Sequence, residues 1–90
     1  MAYYVLTFEN TSQAIKFEGL WGKMQPGEGE RILIPVPRSI SSSCGLAAKI
    51  ETAFKEEALG IIRSHNIGVE AFYRFEKKGR DTVIKKEEWK

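Results

Sequence analysis

The sequence predicts an α+β domain with its elements in the order β-α-β-β-α-β. Three observations lead there. Two segments carry apolar residues at helical spacing, four others are short apolar or alternating runs, and each helical segment stands between strands. Ninety residues are the length of one domain with a modest core.

Residues 3–8 (Tyr-Tyr-Val-Leu-Thr-Phe) are aromatic and β-branched, the composition of a strand. Asn10 is placed to cap the helix that follows, with Gln13 three positions on in a capping-box-like pair. Ala14, Phe17, Trp21 and Met24 recur at helical spacing, so the helix is expected to reach Met24 with those residues as its buried stripe. Gly19 and Gly22 weaken it by roughly 1 kcal/mol each relative to alanine, a cost that close packing on a sheet would explain. Pro26-Gly27-Glu28-Gly29 reads as a loop.

Residues 31–36 form the second expected strand. Its apolar run suggests burial, while Pro35 removes a ladder donor and places it at an edge or near the strand's end. A hydroxyl-rich loop, 37–43, precedes a third strand over 44–50, in which Leu46, Ala48 and Ile50 alternate with Gly45, Ala47 and Lys49. Thr52 is the expected cap of a second helix running to His65, with Phe54, Ala58, Ile61 and Ile62 on its apolar face and Lys55, Glu56 and Arg63 on the other. Asn66 and Gly68 supply its stop. Residues 69–75 are the fourth strand. Two helices that must each bury one stripe, a sheet to receive them and right-handed crossovers give a ferredoxin-like sandwich, a four-stranded antiparallel sheet with both helices on one face. A three-stranded sheet, with 44–50 as helix or loop, is the alternative.

Charge divides the chain. The formal net charge is +2. Residues 77–90 hold Lys77, Lys78, Arg80, Lys85, Lys86 and Lys90 against Asp81, Glu87 and Glu88, which leaves residues 1–76 nearly neutral. The expected organisation is therefore one domain over 1–76 and a basic, solvated extension over 77–90, with a helical option from Asp81 or Thr82. The near-neutral domain carries no nucleic-acid footprint, and residues 45–50 lack the aromatics that an RNA-binding third strand would need. No apolar run approaches the ~20 residues of a membrane span. The N-terminus lacks the pattern of a signal peptide, and one cysteine allows no internal disulfide, so a reducing, cytoplasmic setting is expected.

Few residues offer chemistry. His65, the single histidine, falls at a helix end, where it reads as a polar terminus residue. No spacing of His, Cys or carboxylates suggests a metal, and no phosphate-binding glycine fingerprint is present, so no cofactor is implied. Ser41 to Ser43 have no histidine–acid partner in view. Cys44 stands apart because of its neighbours. Ser41, Ser42, Ser43 and the backbone around Gly45 can donate to a thiolate, Arg38 can bring a fixed positive charge, and Gly45 leaves room for another molecule to approach. The competing reading is a core cysteine, since from residue 44 the side chain shares a face with Leu46, Ala48 and Ile50. From the pattern, both readings stand.

The stretch from Pro35 to Ala47, PVPRSISSSCGLA, closely resembles the signature of a small family of selenium/sulphur carrier-like proteins. The opening Tyr4-Val5-Leu6-Thr7-Phe8 with Thr11 and Ala14, and the closing Val69-Glu70 to Tyr73-Arg74, are similar to it as well, so the resemblance covers residues 3–76. Members occur as stand-alone chains and fused behind a sulphur-relay domain in a selenium-metabolism protein. The resemblance implies that Cys44 is the carrier thiol, bearing a persulfide or perselenide, with Arg38, Ser41, Ser42, Ser43 and Gly45 as its setting. It also implies a donor such as a cysteine desulfurase or a selenium-metabolism enzyme, and a carrier rather than an enzyme. The loop at 27–29 and the tail after Glu76 depart from the family pattern. A different class of expectation is a non-catalytic ligand-binding or regulatory module that pairs as a homodimer through its sheet, with Tyr3, Phe72 and Phe75 as the shared face.

Overall fold

The computed structural model describes residues 2–21, 33–38, 40 and 44–89. The chain forms β1 (Ala2–Phe8), α1 (Thr11–Trp21), β2 (Leu33–Pro35), β3 (Leu46–Glu51), a 3-10 turn (Thr52–Phe54), α2 (Lys55–His65), β4 (Val69–Lys78) and β5 (Asp81–Lys86). The strands make one sheet in the order β2-β3-β1-β4-β5, and every neighbouring pair is antiparallel.

The α+β class is as expected, and the sheet has five strands where the sequence predicted four. The fifth comes from the tail. Gly79 adopts φ 62° at the first of two turn positions, the type II′ hairpin pattern, and Lys78 pairs with Asp81 across it. Thr82, Val83 and Ile84 are β-branched and pair with Lys77, Glu76 and Phe75, so the segment with a helical option is a strand. Glu87 extends the ladder by donating its N–H to the Phe72 carbonyl at 2.7 Å, and Trp89 packs against the main core.

Alternation along the strands separates two apolar clusters. Tyr4, Leu6, Phe8, Ala48, Ile50 and Phe72 face the helices and meet Ala14, Phe17 and Trp21 of α1 and Ala58, Leu59, Ile61 and Ile62 of α2. Aromatic contacts run through this layer: Phe17 lies 5.4 Å from Phe8 and 5.2 Å from Trp21, and Tyr4 stacks on Phe72 at 5.1 Å. On the other face, Val5, Ala47 and Phe75 are buried among Tyr3, Ile34, Val36, Ile40, Tyr73 and Ile84. Phe72 therefore does not share a face with Tyr3 and Phe75, because it lies three positions, an odd offset, from Phe75 in a period-two strand.

The helix ends follow local chemistry. Asn10 Oδ1 accepts from the Gln13 N–H at 3.1 Å, the expected cap, but the Gln13 side chain accepts from the Gly68 N–H (2.9 Å) instead of closing a capping box. Thr52 does not cap α2. It opens the 3-10 turn, and α2 begins after Phe54 without a side-chain cap. Asn66 ends α2 in the left-handed region (φ 51°, ψ 50°). A Cβ at Gly19 would meet open space, so close packing does not explain that glycine. Met24, Gly22 and the loop at 27–29 lie outside the described residues. No helix among the described residues is long and apolar enough to cross a membrane.

Candidate functional site

The connection from β2 to β3 builds the site. Pro35 pairs with Leu46, and the Val36 N–H donates to the Gly45 carbonyl at 3.1 Å, which closes the loop at its base. Pro35 is tolerated because β2 is an edge strand. Within the loop the Ile40 N–H donates to Pro37 O at 3.1 Å, a local turn. The loop grips the sheet from both sides. Val36 and Ile40 pack in the cluster away from the helices, while Cys44 packs against the cluster beneath them.

Cys44 is half-buried, and it shares its face with Leu46, Ala48 and Ile50, as the alternation required. It is neither sealed in the core nor carried on a detached loop. Its Sγ lies 3.3 Å from the Leu46 carbonyl, to which the thiol donates, and 3.4 Å from the Leu46 nitrogen, whose N–H donates to the sulphur. The reason is in the ladder. The β1–β3 register ends at Thr7 opposite Ala47, so Leu46 lies one residue beyond the last pair and its polar backbone groups face the thiol. The sequence marks Leu46 as a strand residue on the face of Cys44, not as part of the site. The signal that finds it is its position two residues after Cys44 on the same face.

Gly45 is exposed and adopts φ 75°, a conformation natural to glycine, and a Cβ built there would touch no described residue within 4 Å. Among the described residues, none crowds the backbone at this position next to Cys44. Arg38 is exposed in a turn of the same loop. Ser41, Ser42 and Ser43, the hydroxyls expected to support the sulphur, lie outside the described residues.

The loop sits at one end of the sheet together with the start of α1. Phe8 ends β1 at that edge and α1 begins three residues later at Thr11. The α2–β4 connection is there too, since Phe8 pairs with Val69 and the Glu9 N–H donates to Gly68 O at 3.0 Å. His65, at the end of α2, is exposed, and its carbonyl accepts from Lys16 Nζ at 3.2 Å, a structural contact between the helices. Among the described residues no cluster of three His, Cys, Asp or Glu side chains is arranged to hold a metal.

No curated protein and no solved structure matches the chain. A family model does. The family described as "Putative Se/S carrier protein-like" matches residues 3–74, a span that runs from β1 well into β4 and includes the whole Cys44 loop. With most of the chain matched, the protein belongs to this selenium/sulphur carrier-like family.

Proposed function

We propose that the protein is a sulphur or selenium carrier, not an enzyme in its own right, and that Cys44 bears the cargo as a persulfide or perselenide. One observation carries the reading: the only cysteine of the chain is half-exposed at the end of the sheet, next to an exposed glycine that no described residue crowds.

The chemistry is thiol exchange. The Cys44 thiolate attacks the outer sulphur of a donor's persulfide, a new S–S bond forms at Cys44, the donor's S–S bond breaks, and the donor leaves as a thiolate that takes up a proton. Delivery is the same step with the acceptor's thiolate attacking. Neither direction needs an external oxidant. Half-burial suits this cargo. A second sulphur stands about 2 Å beyond Sγ, so a sulphur anchored at the rim presents the outer atom to a partner. Ionisation removes the hydrogen bond to Leu46 O but keeps the Leu46 N–H directed at the sulphur. With a single cysteine the adduct cannot be resolved into an internal disulfide.

The donor in this reading is a cysteine desulfurase or a selenium-metabolism enzyme, and the setting is the reducing cytoplasm. In this reading Arg38 and Ser41 to Ser43 support the thiolate, a role taken from the family resemblance of the stretch around Cys44. The architecture is read as ferredoxin-like with one added strand, since β2-β3-β1-β4 with both helices on one face remains when β5 is set aside.

The test is intact mass after incubation with a cysteine desulfurase and cysteine. A gain of about 32 Da that Cys44→Ser abolishes, and that passes to an acceptor thiol, is the expected result. A wild-type chain that stays unmodified under conditions where the desulfurase itself is persulfidated would rule the carrier role out.

A further inference from the structure

The two edges of the sheet differ. β2 is three residues long and contains Pro35, the features that protect an edge from pairing with another chain. β5 has six residues, no proline and a β-branched centre, Thr82-Val83-Ile84. The backbone direction along β5 follows from its ladder. Glu87 donates to Phe72, and hydrogen-bonded pairs alternate, so Asp81, Val83 and Lys85 turn their backbone groups toward β4. Thr82, Ile84 and Lys86 turn theirs to the outer edge.

We propose that two copies of this chain join through β5, antiparallel about a two-fold axis at Val83, into one continuous sheet. The register is set by charge. With Val83 opposite its own copy, Asp81 faces Lys85 of the second chain twice, and Thr82 faces Ile84 twice. The outward amides of Thr82 and Ile84 then exchange hydrogen bonds between copies. Moving the axis to Ile84 instead sets Asp81 against Glu87 and forfeits the attraction. The same side chains that would repel a chance strand are thus complementary to themselves in one register. Cys44 lies just before β3, three strands in from β5, so the two thiols stand seven inter-strand steps apart, roughly 30 Å or more. Such a dimer leaves both thiols accessible and brings neither near the other. The inference is independent of what Cys44 carries.

Sedimentation of the full chain over a concentration series tests it. The wild type is expected to dimerise with rising concentration. D81K and K85D, which turn two attractions into two repulsions, should each weaken the dimer about tenfold, and the double reversal D81K/K85D should restore it. T82P removes an outward N–H that β4 does not use, so it should abolish the dimer while leaving the monomer's far-UV spectrum and melting unchanged. A chain that stays monomeric at the highest concentration, a dimer that tolerates T82P, or single reversals that the double reversal fails to rescue would each overturn the proposal.

Discussion

The cysteine and the glycine after it divide the work at the sheet's end. The hydrogen bonds of Cys44 to Leu46 fix where its thiol sulphur lies. Gly45 turns the chain, and no described residue crowds it. Because Gly45 holds φ 75° and a side chain there would meet no described neighbour, the cost of replacing it is conformational. Gly45→Ala is expected to lower stability by about 1 kcal/mol, and Gly45→Asn by less, since asparagine tolerates the left-handed region. Urea unfolding of the pair checks this. Equal losses would mean that the backbone angle is not what the position selects. Cys44 itself was legible as a candidate because it is the single cysteine in a stretch of serines and glycine. Its half-buried state was not legible, because it depends on where the β1–β3 ladder stops, and Thr7 opposite Ala47 is a register that no local pattern announces.

The helix stripes read from periodicity are buried wherever α1 and α2 are described, while the expected end of the first helix at Met24 lies outside the described residues. The stripe Ala14, Phe17, Trp21 is fully buried in α1, and Ala58, Ile61 and Ile62 are buried in α2. The start of α2 did not follow its apparent cap, because Thr52 to Phe54 tighten into a 3-10 turn and Phe54 packs inward against the core. At the other end of α2 the left-handed Asn66 donates its N–H to Ile62 O, and Ile67 does the same at 3.2 Å. Asn66→Gly should therefore leave stability unchanged or raise it by a few tenths of a kcal/mol, whereas Asn66→Val should lower it by about 1–2 kcal/mol. Thermal melts of the two variants decide it. A valine that is tolerated would show that the turn rearranges without cost. The miss at β5 has a different origin. The excess of lysine in residues 77–90 reads as a solvated tail when charge is counted, yet charge says nothing about backbone pairing. The informative feature was Gly79, whose positive φ lets ten residues of β4 turn back on themselves.

At the scale of the whole molecule residues 81–89 complete the sheet, cover the outer edge of β4 and close one side of the helix layer with Trp89. A chain ending at Arg80 would lose the ladder from Asp81 to Lys86, the Glu87–Phe72 hydrogen bond and the contact of Ile84 with the cluster around Phe75. Trp89→Ala alone should cost about 2 kcal/mol, roughly half the loss for a fully buried aromatic, because Trp89 is half-buried. The truncation should cost more than that substitution, measured by urea unfolding of both. If the two losses were equal, β5 would add nothing beyond its tryptophan, and residues 81–88 would behave as the solvated extension their charge suggests. The thiol lies beyond β1 and β4 from this edge, so the truncated chain, where it remains folded, should still be persulfidated at Cys44. Stability and cargo loading would then separate along the sheet, one edge holding the fold closed and the opposite side bearing the sulphur.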